Sequence, residues 1–139
     1  MSSPAVRSAA QSLAESGSWP ASIPFSDTFN QWVDPATIRG TWSTLEFDVE
    51  SDEKVGIGQH EYLERGTITV HVYAERGKAF TELGAAFDAL RPVILGHLWP
   101  ASISIQSVSA PDVVSPGGKG LHVHAAVAAR YLYQHQGGL

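Results

Sequence analysis

Hydrophobic and polar positions change period once along this chain, between residues 66 and 95. At first they alternate: Ile68, Val70, Val72 and Ala74 fall on one side, and Thr67, Thr69, His71 and Tyr73 on the other. A period of two in β-branched and aromatic residues predicts a half-buried strand. After the polar connection Glu75-Arg76-Gly77-Lys78 the apolar residues are Phe80, Leu83, Phe87, Leu90 and Ile94. Their three- and four-residue steps predict an amphipathic helix over about 78–95. So short a turn lets that helix fold back over the apolar face of the strand. The centre of the core is expected here.

The rest of the chain follows the same logic. Ser2 or Ser3 before Pro4 is a helix-start signal, a capping hydroxyl followed by proline in the first turn. Val6, Ala9, Ala10, Leu13 and Ala14 then form the stripe of a short N-terminal helix over about 4–16, too weakly hydrophobic to stand without packing. Trp19-Pro20 and Pro24 bracket a turn. Phe29, Trp32 and Val33 suggest a helical face, but Asp34-Pro35 interrupts it, and an irregular segment anchored by an aromatic is expected.

Over 39–50, Trp42, Thr44, Glu46, Asp48 and Glu50 share one side of a strand, while Thr41, Leu45, Phe47 and Val49 mostly share the other. Residues 51–54 make a polar tip, and Gln59 onward begins the return strand, so a hairpin with a long loop spans about 40–75. Beyond the central helix, Gly96 to Pro100 turns the chain, with Trp99 as a loop anchor, and Ile103, Ile105 and Val108 open another strand. Residues 111–120 read as a flexible hairpin loop. In the final strand Leu121, Val123, Ala125 and Val127 alternate with His122, His124, Ala126 and Ala128, and Tyr131 and Tyr133 continue it. A closing hairpin over about 102–133 and a flexible tail at 134–139 complete the expectation. The order predicts a single α+β domain over 1–139: an antiparallel sheet of two hairpins, with about four or five strands, packed by one central amphipathic helix and a short N-terminal helix.

Composition narrows the function more than the fold. A chain of 139 residues suits one domain with one real core. There is no cysteine, which excludes disulfides and thiolate metal sites and leaves the compartment open. The net charge is −5, a poor basis for tight general nucleic-acid binding. Charged residues make up 17%, below the usual ~25%. Two readings follow: a surface partly covered by partners, or one rich in Ser, Thr and Gly. No basic segment followed by an apolar run opens the sequence, so no signal peptide is expected, and no run approaches the ~20 apolar residues of a membrane helix.

Candidate chemistry is sparse. His122 and His124 lie two apart on a strand, so both imidazoles point to one side and are weak candidates for a metal, with His71 or His135 as a third ligand. The glycine-rich turn before them resembles that of a cupin metal site, but the run Ala125 to Ala129 lacks the carboxylate that such a site needs. The other reading is of solvent- or interface-facing strand histidines. No serine sits in a Gly-x-Ser-x-Gly elbow. Gly56-Ile57-Gly58 is a fragment of a dinucleotide fingerprint in the wrong context. Glu46, Asp48 and Glu50 project side by side as a solvated acidic face, with no apolar pocket to raise one of them for acid catalysis.

The pattern as a whole resembles the small tail-terminator proteins of long-tailed bacteriophages and phage-like particles. The residues that carry it are Gly40-Thr41-Trp42, the long hairpin loop, Glu64-Arg65-Gly66 with the strand Thr67 to Val72, and Glu75-Arg76-Gly77-Lys78 leading into the helix. The resemblance runs from about residue 40 to 95, and the closing hairpin agrees in order and length. It implies a non-enzymatic virion protein without a cofactor, forming a head-proximal ring, usually a hexamer. Such a ring ends tail-tube polymerisation, joins the tail to head-completion proteins and lets DNA pass through its lumen. The expected acidic lumen wall is Glu46, Asp48, Glu50, Asp52 and Glu53; the expected partner-contact loops contain Lys54, Gly56, Gly58, Pro116, Gly117 and Lys119. The competing expectation is a His-dependent metal-binding or small-molecule-binding α+β domain.

Overall fold

The computed structural model describes residues 3–26, 41–55, 61–75, 79–115 and 122–136. In chain order its elements are α1 (Pro4–Ala14), β1 (Trp42–Lys54), β2 (Tyr62–Glu75), α2 (Ala79–Gly96), β3 (Ile103–Val108), β4 (Asp112–Ser115) and β5 (His122–His135). The five strands form one antiparallel sheet ordered β1-β2-β5-β3, and β4 also pairs with β5. The fold is α+β. β3 lies against residues 129–133 of β5 and β4 against 124–126, so the two share one edge end to end. β2 and β3 are both antiparallel to β5, hence parallel to each other. They are joined through α2, with β5 inserted between them, as a split β-α-β unit.

Both helices cover the same face. Leu83, Phe87, Leu90 and Ile94 of α2 meet Ile68, Val70, Val72 and Ala74 of β2 and Ala125, Val127, Ala129 and Tyr131 of β5 in one buried cluster. The change of period between β2 and α2 thus marks the core, as the pattern predicts. Val6, Ala10, Leu13 and Ala14 of α1 join it. Ser3 occupies the N-cap position but makes no side-chain cap; its hydroxyl donates to Glu64 instead. The turn after α1 is anchored by Trp19, whose indole N–H lies 3.0 Å from the Ile23 carbonyl and 3.1 Å from Ser43 Oγ. The Ser43 hydroxyl donates back to Ile23 at 2.8 Å. Trp99 is partly buried against the core and donates to the Ile94 carbonyl at 3.0 Å, as an anchor should. Trp32 lies outside the described residues.

Three expected boundaries move, and one strand loses its regular alternation. β1 continues through the expected polar tip to Lys54, because residues 51–54 pair with 62–65. β4 occupies Asp112–Ser115, where a flexible loop was expected. β5 continues to His135, opposite Tyr62, so Gln134 and His135 belong to the sheet and not to a tail. Finally, a bulge between Val49 and Ser51 breaks the alternation of β1.

Candidate functional site

The sheet face away from the helices carries a continuous polar and aromatic row. β1 presents Trp42 opposite Tyr73, Thr44 opposite His71 and Glu46 opposite Thr69; β5 presents His124 opposite Tyr73. Trp42 and Tyr73 stack at 4.3 Å between centroids, and Tyr73 stacks on His124 at 4.3 Å. His71 Nδ1 lies 2.6 Å from His124 Nε2, and His71 Nε2 lies 3.1 Å from a Glu46 carboxylate oxygen. One arrangement of protons satisfies all three groups: His124 donates from Nε2 to His71 Nδ1, and His71 donates from Nε2 to Glu46. Burial, and then the neighbouring His71, push the His124 pKa down to about 4 against the opposing pull of Glu46. Burial, and then Glu46, raise the Tyr73 phenol. His124 is therefore uncharged near neutral pH.

The histidine arrangement differs from the expected His122/His124 pair. The His122 side chain lies outside the described part of the structure. His124 meets His71 across the strands through a direct hydrogen bond, which occupies the nitrogens a shared ion would need. His135 is on the other face of the sheet and joins neither.

The acidic strip divides. Glu46, Asp48 and Glu50 are exposed on the helix-free face. Glu50 pairs with Arg130 at 3.1 Å. The bulge then resets the alternation. Asp52 comes opposite Glu64 on the helix-covered face, while Glu53, opposite Leu63, stays with the outer carboxylates. Asp52 therefore drops out of the expected acidic wall. Lys54 ends β1 opposite Tyr62. Gly56, Gly58, Pro116, Gly117 and Lys119 lie outside the described residues.

A second cluster, missed by the sequence reading, sits at the corner where β1, β2 and β5 pass the start of α1. Glu64 is only 3% exposed. Tyr131 donates its hydroxyl to Glu64 Oε2 at 2.7 Å, Ser3 donates its hydroxyl to Oε1 at 2.7 Å, and the Ser3 backbone N–H adds a 3.4 Å contact. His135 lies beside this group with Nε2 2.9 Å from Asp52 Oδ1, its ring stacked against Tyr62 and Tyr133. Asp52, Glu64 and His135 each offer a ligand atom within 4.8 Å of the others, the sole such group of three among the described residues. One signal pointed here: Glu64 precedes Gly66 and Ile68 at a spacing of two, on the apolar face of β2. His135 escapes the sequence pattern because the alternation of β5 is legible only as far as Tyr133.

The apolar space between the helices and the sheet, lined in part by Leu13, Trp19, Val70 and Ile94, has a volume of about 10 Å³. Compared with known proteins, the chain matches no described protein family and no curated protein.

Proposed function

We propose that this chain is the subunit of a ring that caps the tail tube of a phage or phage-like particle. The ring ends tube polymerisation and contacts the head-completion proteins, and DNA passes through its lumen. The chain is a structural component, not an enzyme. The observation that carries this reading is the division of the sheet. Both described helices cover one face, while the other displays Glu46, Asp48 and Glu50 in an exposed strip with neither of these helices over it. Alternate residues on a strand are about 7 Å apart, within one screening length at physiological salt, so their repulsion of a phosphate backbone adds up. Placed inward, Glu46, Asp48, Glu50 and Glu53 make a wall along which DNA slides without being held.

The ring contact is heterologous, one surface of each subunit against a different surface of the next. β1 lies at the edge of the described sheet, and among the described residues Pro24 and Ser26 bond to it around Ser43. The strand's row of carboxylates opposes indiscriminate edge pairing and leaves a partner of matching charge to be selected. No helix among the described residues is long and apolar enough to cross a membrane, and the reading requires none.

Small-molecule binding is less well supported, because the gap between helix and sheet holds about one water. Native mass spectrometry and negative-stain microscopy of the purified chain, alone and mixed with tail tubes encoded beside its gene, test the proposal. A closed ring, most simply a hexamer, seated on tube ends and halting their growth is expected. A chain that leaves tube length unchanged and never occupies tube ends overturns it. A ring with Glu46, Asp48 and Glu50 on its outer surface overturns the lumen assignment alone.

A further inference from the structure

We propose that Asp52, Glu64 and His135 form a binding site for one divalent transition-metal ion at the corner of β1, β2 and β5. The inference does not rest on the ring. Two independent observations converge on it. The first is geometric: an imidazole nitrogen and two carboxylate oxygens, from three adjacent strands, lie within 4.8 Å of one another. Zinc takes this set, with bonds of about 2.0–2.2 Å to such atoms and water in the remaining position.

The second is electrostatic. Glu64 is almost wholly buried, and its described partners are neutral donors: the Tyr131 hydroxyl, the Ser3 hydroxyl and the Ser3 N–H. No lysine or arginine pairs with it among the described residues. The first turn of α1 supplies only a partial positive charge. A buried carboxylate held by neutral groups beside a second carboxylate is an anionic hole, and a bound cation closes it.

The supporting contacts are those a metal site needs. Tyr131 and Ser3 fix the Glu64 carboxylate by hydrogen bonds, and Tyr62 and Tyr133 each stack against the His135 ring. The Asp52–His135 hydrogen bond at 2.9 Å marks the position of the ion. On binding, the Nε2 proton leaves to solvent, the ring takes the tautomer protonated at Nδ1 by exchange with water, and Nε2 turns its lone pair to the metal. The bulge in β1 brings Asp52 to this face. Mixed nitrogen and carboxylate ligation favours zinc over magnesium or calcium.

Isothermal titration of the full chain with zinc chloride, followed by X-ray absorption at the zinc edge, tests the site. One ion per chain is expected, with a first shell of one imidazole nitrogen and otherwise oxygen, and with a rise in Tm when zinc is added that EDTA reverses. Asp52→Asn and His135→Gln, at positions accessible enough to leave the core intact, should each weaken zinc at least about tenfold. His124→Gln, on the opposite face, should leave the affinity unchanged. Absence of zinc-dependent heat and Tm shift in the native chain overturns the proposal. Binding that survives both Asp52→Asn and His135→Gln, or a shell without imidazole, overturns it equally.

Discussion

Gly66 shows how much depends on the absence of one carbon. A Cβ there would run into the Asp48 backbone carbonyl and the phenol of Tyr131. The first obstacle is part of the β1–β2 ladder and the second is fixed by Glu64, so neither yields cheaply. Gly66→Ala should cost about 2 kcal/mol or more, outweighing the gain of under ~1 kcal/mol from a stiffer unfolded chain. Urea unfolding measures it.

The second residue-scale prediction concerns His124, held down to about 4 chiefly by burial. Its unfolded value is near 6.5. Between these two values the unfolded chain takes up a proton at this ring that the folded chain refuses. The contribution is therefore present above pH 6.5 and is lost as the pH falls toward 4. A Tm-against-pH profile should drop in that window, and His124→Phe, which keeps an aromatic against Tyr73, should flatten that part of the drop. The sequence placed His71 and Tyr73 on one face of β2 and gave His124 an outward position, but could not pair them. Their meeting depends on the register between strands some fifty residues apart, which no local pattern reports.

Among the elements, both helices and the cores of β1, β2, β3 and β5 were legible, because each buries one side and so shows its period. β4 was not, since four residues between Pro111 and a glycine-rich run are too few to display one. Nor was the bulge, because Ser51 to Lys54 are all polar and either face suits them. Here the two kinds of deletion part company. Removing Glu50 regularises the ladder: Val49 stays opposite Gly66 and Asp52 opposite Glu64, and only the ion pair with Arg130 is lost. Removing Asp48 instead turns Val49 outward and drives Glu50 inward against Gly66. The Glu50 deletion should cost at most about 1 kcal/mol, whereas the Asp48 deletion should be severely destabilised by a buried unpaired charge. Thermal melts of the two variants give the comparison.

At the scale of the molecule, the α+β class and the helix-covered sheet followed from the sequence of periods. The strand order did not. Two successive hairpins are the local solution, and nothing local says that β5 also pairs with β2 along its whole length. The same limit explains the corner of Asp52, Glu64 and His135, whose members come from three strands and acquire meaning only when β5 lies beside β2.

The central place of β5 has a consequence for the order of events on the ribosome. It follows every other described element, yet it is the strand to which β2, β3 and β4 all bond. Until it emerges, β2 has an open edge and α2 has half a surface to rest on. The nascent chain therefore waits, with Val70 and Val72 unburied, through the synthesis of some fifty further residues, and the wait ends in one late closure. Ribosome-bound chains stalled after Ser115 should show unprotected β2 amides by hydrogen exchange and bind a holdase chaperone, and chains extended past His135 and clear of the exit tunnel should lose both signs together. A protein assembled in this order offers its neighbours no finished surface until β5 has emerged, which keeps copies without it out of any oligomer.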